Sequence, residues 1–125
     1  MADQITLTLP AEEGFQGVAH LVLGGLAVRL DLTFETLEDL ELALDGLLER
    51  RDDEGDVTVS VTVEDDVLRA SVGPFADGAL DELDHEVTPL GLRRILETVC
   101  DGFEVAERDG GQWVVLTKRV ERDAA

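Results

Sequence analysis

Asp39-Leu40-Glu41-Leu42-Ala43-Leu44-Asp45-Gly46-Leu47-Leu48-Glu49-Arg50 decides the fold. Leu40, Leu44, Leu47 and Leu48 recur at intervals of three and four, which puts them on one side of a helix. The same stripe runs back through Leu37 to Phe34, and Thr33 stands where an N-cap belongs. Glu35, Glu38 and Asp39 fall near the start and Arg50 and Arg51 are expected in the last turn, charges that suit the two ends of a helix dipole.

Working outward, Asp52-Asp53-Glu54-Gly55 reads as a turn. Val57, Val59, Val61 and Val63 then alternate with Thr58, Ser60 and Thr62, the pattern of a strand with one buried face. Glu64-Asp65-Asp66 turns it back into a second strand from Val67 to Val72. Upstream, Gln4 to Leu9 alternates as a strand and Pro10 stops it. From Ala11 to Leu30 the residues Phe15, Val18, Ala19, Val22, Leu26 and Leu30 are helical in spacing. Gly24-Gly25 in that helix costs about 1 kcal/mol per glycine relative to alanine, which implies a kink, a break or a close backbone approach. Downstream, Ala79 to Glu86 has room for a short helical turn. Thr88 and Pro89 are the expected cap and first residue of a helix carrying Leu92, Ile95, Leu96 and Val99, closed by Asp101-Gly102. Phe103 to Ala106 and Trp113 to Leu116 pair across Asp109-Gly110-Gly111. This order predicts an α+β two-layer sandwich, a mainly antiparallel mixed sheet covered on one face by about three helices.

The 125 residues form one domain, with its core over about residues 4–119. Hydrophobic residues make up 44%, and the mean hydropathy of +0.02 is that of a globular chain. No apolar run reaches the roughly 18–20 residues of a membrane span. The acidic start, Met1-Ala2-Asp3-Gln4, is no signal peptide, and Cys100 alone makes no internal disulfide, so a cytoplasmic protein is expected. With 29 acidic against 10 basic residues the net charge is −19. Phosphate backbones need basic surface, so direct contact with nucleic acid is not expected. The acidity reads equally as a solvated, salt-adapted surface or as a partner-binding face.

The strand ending in Leu9-Pro10, the Gly24-Gly25 helix, the Leu40-Glu41-Leu42-Ala43-Leu44 helix, the hairpin and the closing Trp113-Val114-Val115-Leu116-Thr117-Lys118-Arg119 together resemble the histidine-kinase-like ATPase domain. Within it they resemble the anti-sigma-factor serine kinases of bacteria. That resemblance implies three ATP motifs. The first is a Glu for general-base work with an Asn four residues on for Mg²⁺; here the places read Gly46 and Arg50. Glycine has no carboxylate, and a guanidinium has no acceptor and repels a cation. The second is Asp-x-Gly-x-Gly with its Asp reading adenine. Ala70-Ser71-Val72-Gly73-Pro74-Phe75 echoes it without the Asp, and Asp77 comes too late. The third is a Gly-rich lid ending in Gly-x-Gly-Leu, whose amides hold phosphates. Leu90-Gly91-Leu92 survives, but Pro89 has no N–H, and Asp81-Glu82-Leu83-Asp84-His85-Glu86 would repel a triphosphate.

The resemblance therefore implies no catalytic residue, vestigial positions at Arg50, Gly73, Leu90, Gly91 and Leu92, and no cofactor unless the alignment of the motifs has slipped. In that case ATP and Mg²⁺ bind to an active kinase. It implies a protein partner, a sigma factor or an anti-anti-sigma protein, and a homodimer formed through the first strand and helix. Asp81, Glu82, Asp84 and Glu86 are candidates for a negative partner-binding surface.

Other candidates weigh less. Asp81, Asp84, His85 and Glu86 contain metal-ligating types, yet a solvated acidic loop is the simpler reading. His20 reads as a packed or half-buried histidine, and Cys100 as a buried helix-end thiol. Ser60 and Ser71 lie in strands with no nearby His, and no acidic pair is singled out as a glycosidase site.

Overall fold

Among the described residues of the computed structural model, five antiparallel strands lie in the order β1-β2-β3-β5-β4, with three helices on one face. The structure describes residues 3–10, 16–50, 55–76, 78, 80, 83, 91–108 and 110–120. The strands are β1 (Asp3–Leu9), β2 (Val57–Glu64), β3 (Val67–Phe75), β4 (Gly102–Arg108) and β5 (Gly111–Arg119); the helices are α1 (Gln16–Arg29), α2 (Phe34–Leu48) and α3 (Leu92–Val99). The α+β sandwich and the element order agree with the sequence reading. Every described pairing is antiparallel, so the sheet is not mixed.

Alternation sorts the sheet into a dry and a wet face. Val57, Val59, Val61 and Val63 of β2, Leu68, Ala70, Val72 and Phe75 of β3, and Val114 and Leu116 of β5 are buried in one core with the helices. On the other face Thr8 and Thr58 share a hydrogen bond of 3.0 Å, and Gln4 donates to Ser60 at 3.3 Å. Asp65 and Asp66 both take positive φ, 54° and 63°, as a two-residue turn matched to strand twist requires. β3 runs three residues past its expected end, through an irregular step between Val72 and Phe75 at Gly73-Pro74.

Thr33 caps α2 as expected, its hydroxyl accepting from the Thr36 N–H at 3.2 Å. Three details of the helices depart from the sequence reading. α1 is continuous through Gly24-Gly25, and nothing lies within 4 Å of a Cβ built at either glycine, so there is neither break nor close approach. It ends in a left-handed residue, Asp31 at φ 54°, with the Leu32 N–H bonded to the Ala27 carbonyl at 2.9 Å and the Asp31 N–H to the Val28 carbonyl at 3.3 Å. α2 stops at Leu48, so Arg50 lies beyond the helix rather than in its last turn, and Phe34 is 72% exposed instead of joining the core stripe. α3 begins at Leu92 with Gly91, in extended backbone, as its N-cap. Thr88 and Pro89 lie outside the described residues. No helix among the described residues is long and apolar enough to cross a membrane.

Candidate functional site

The C-terminal half of α2 meets the start of α3 at Gly46. A Cβ at that position would stand 3.0 Å from Leu92 Cδ1 and 3.9 Å from Ile95 Cδ1, inside normal contact distance of the leucine. Leu92 is fully buried. The absence of a side chain at 46 therefore lets α3 close onto α2. Arg50 turns back over this junction: its Nη1 donates to the Gly46 carbonyl at 3.0 Å and meets Glu49 Oε2 at 3.3 Å. It thereby satisfies one of the carbonyls left free at a helix C-terminus. Gly46, Arg50, Gly91 and Leu92 are thus brought to one place, while Leu90 lies outside the described residues.

Gly73 belongs to a different contact. A Cβ there would sit 2.6 Å from Trp113 Cδ2 and 3.0 Å from the Gln112 carbonyl, so this glycine is required by indole packing. The helix-facing residues of β3 are Leu68, Ala70, Val72 and Phe75, all apolar. Ser71 lies with Arg69 and Thr117 on the outer face.

These residues do not fit Mg²⁺-ATP. Where the resemblance implies the base carboxylate there is a leucine methyl, and where it implies an Asn oxygen for the metal there is a cation already engaged with the protein. No carboxylate is among the buried residues of β3.

A second cluster lies between α1 and α2. His20 Nε2 is 2.6 Å from Asp45 Oδ1 and Nδ1 is 2.9 Å from Glu41 Oε2. The half-buried histidine expected from the sequence is present, but its role as a clasp was missed; Glu41 and Asp45, four apart on α2, were the available signal. The hydrogen bond to Asp45 raises the His20 pKa above its ordinary 6.5, against an opposing burial effect, with the Asp45 and Glu41 charges adding to the rise. The protonated ring thus donates from both nitrogens. The two carboxylates sit on opposite ring nitrogens, so they share no coordination point, and no group of metal ligands occurs among the described residues.

A raised pKa means that the folded state holds this proton more tightly than the unfolded chain. The contribution is complete below pH 6.5 and disappears as pH rises through the folded-state value. Because His20 is about a third exposed, that loss is expected to be about 0.5–1 kcal/mol. Urea unfolding of the wild type and His20→Gln across pH 6–9 checks it; parallel profiles for the two proteins would refute the clasp.

Cys100 is buried as expected, and desolvation pushes its thiol up to about 11, which leaves it a poor nucleophile at neutral pH. Lys118, the chain's single lysine, donates to the Val99 carbonyl at 2.6 Å and to Asp39 at 3.1 Å, tying β5 to α2 and α3. Ser60 accepts a hydrogen bond from Gln4 on the outer face, a contact that gives it no support as a nucleophile. Asp81, Glu82, Asp84 and Glu86, and with them His85, lie outside the described residues.

No family model matches the chain. Curated relatives do. The chain is 30% identical to serine-protein kinase RsbW of Halalkalibacterium halodurans, over 97% of this chain and 86% of that protein. It is 28% identical to serine-protein kinase RsbW of Listeria monocytogenes serotype 4a, over 96% and 89% of the two chains. Against the Bacillus subtilis protein of the same name it is 27% identical, over 94% and 86%. Near-complete coverage of both chains, on a sheet and helix order that agree with the resemblance, shows that the chain belongs to the RsbW family of anti-sigma-factor serine kinases, within the histidine-kinase-like ATPases.

Proposed function

We propose that this chain is an anti-sigma-like regulatory protein that acts by protein–protein binding and has lost nucleotide binding and kinase turnover. The observation that carries the reading is Leu92 packed against Gly46, with Arg50 bonded over the same junction. The Halalkalibacterium halodurans comparison runs over 142 positions against a chain of 125, so at least 17 positions of that relative have no counterpart here. The partner of this chain is a sigma factor or an anti-anti-sigma protein, met in the cytoplasm, where the unpaired Cys100 stays reduced. The family also implies that two copies pair through β1 and α1.

The rival reading is an active serine kinase, which the relatives' names favour. Isothermal titration of the full chain with Mg²⁺-ATP separates the two. No heat of binding is expected up to millimolar nucleotide. A micromolar dissociation constant, weakened by a change at Gly91, would establish the kinase instead.

A further inference from the structure

The face of the sheet turned away from the helices carries a cleft of about 530 Å³ over β3, β5 and β4, the size of a small-molecule site. Its residues stand in register. Arg69, Thr117 and Gly102 lie side by side across the three strands, and Ser71, Val115 and Glu104 form the next row. Trp113 follows on β5, and Arg108 reaches over it, its guanidinium carbon 5.3 Å from the centre of the indole. These side chains point outward because the alternate positions, Leu68, Ala70, Val114 and Leu116, fill the core. Nothing lies within 4 Å of a Cβ built at Gly102, so the end of β4 beside Thr117 is open.

The charge of this cleft is unlike that of the chain. Under a net charge of −19, Arg50, Arg93 and Lys118 are spent on Glu49, Glu97 and Asp39. Arg69 and Arg108 are exposed, and among the described residues neither is joined to a carboxylate in an ion pair. Glu104 stands in the wall between them. A guanidinium offers donors and no acceptor, and it matches a carboxylate in planar two-point geometry. The Thr117 and Trp113 rows are four residues apart on β5, about 13 Å, which leaves the two charges roughly 10 Å apart once both arms enter the cleft. We infer that the cleft binds a linear dicarboxylic acid. One carboxylate meets Arg69 with the Ser71 and Thr117 hydroxyls, the other meets Arg108, and the neutral body lies over Val115. Glu104 and the surrounding negative charge select against phosphates and continuous polyanions, which would carry more charge past that carboxylate. The site lies across the sheet from the α2–α3 junction, so it depends on neither the loss of nucleotide nor the protein-binding reading.

Trp113 is the chain's single tryptophan and there is no tyrosine, so intrinsic fluorescence reports Arg108 leaving the indole. Suberate, whose carboxylates are spaced for both arginines, is titrated into the full chain at constant ionic strength, with isothermal titration as a second readout. Succinate, octanoate and inorganic phosphate are run beside it. Suberate should saturate with a dissociation constant on the order of 1 mM, and the other three should bind about tenfold more weakly or worse. Arg69→Gln and Arg108→Gln should each weaken suberate about tenfold, the loss of one charge-assisted pair. Glu104→Gln should instead tighten it a few-fold, because a like charge leaves the path of the ligand. All three changes fall at exposed positions, so circular dichroism should be unchanged. Octanoate equal to suberate would mean apolar adsorption, and succinate or phosphate equal to it would mean contact with a single anion; either overturns the proposal. So would suberate binding indifferent to both arginines, or no saturation in the wild type and Glu104→Gln alike.

Discussion

Gly46→Glu is expected to destabilise the domain by about 2–4 kcal/mol, the cost of a carboxylate forced into a packed apolar contact. It should bring no ATP binding with it, alone or together with Arg50→Asn. The change writes the family's motif back into α2 on paper, yet the space is taken: Leu92 Cδ1 stands 3.0 Å from where even a Cβ would begin. A glutamate must either push α3 away, exposing Leu92 and Leu96, or bury its charge among them. A mid-helix Gly-to-Ala change alone normally gains about 1 kcal/mol, so propensity works against the predicted loss and cannot produce it. Urea unfolding measures the stability and isothermal titration the nucleotide. A stable double variant that binds ATP would show that the pocket was merely unlettered, not closed, and the proposed function would fall with it.

What the sequence revealed and concealed follows the range of each interaction. The β2–β3 hairpin and the body of α2 were legible because alternation, helical period and the Thr33 cap are local signals. The identities at 46 and 50 were legible once the resemblance set their register, and they showed that the family's Glu–Asn pair is absent from those places. They did not tell what replaced it. Leu92 is 46 residues along the chain from Gly46, and nothing local to either announces that they touch. Arg50 was misplaced for a related reason: two arginines after a leucine stripe suit a dipole, but α2 ends at Leu48 and Arg50 folds back as a carbonyl partner. Gly24-Gly25 misled in the opposite sense. A helix anchored by the core on one side runs on through two glycines, and neither glycine meets a close neighbour. Phe34 shares the stripe's period yet stands in water, because it begins the helix beyond the reach of the core.

Leu92→Ala is expected to cost about 3–4 kcal/mol, as large-to-small changes at fully buried leucines do when the surroundings relax only in part. Its wider use is in a cycle with Gly46→Ala. In the wild-type background the alanine methyl must displace Leu92 Cδ1, which offsets the helix-propensity gain and leaves a change near zero or unfavourable. In the Leu92→Ala background the methyl enters the vacated space, so the same substitution should stabilise by about 1 kcal/mol, nearly the full difference between the two residues in a helix. The coupling between the positions should then exceed about 1 kcal/mol, a size reserved for side chains in direct contact. Additive effects would mean that α3 does not seat on α2 in solution, and would reopen the junction as a binding site. A strong coupling, with no nucleotide bound even by the Leu92→Ala protein, would separate two losses. Removing the leucine reopens space, whereas Arg50 still presents a cation where a metal needs an oxygen. Space and chemistry would each have to be restored before this fold could hold a triphosphate again.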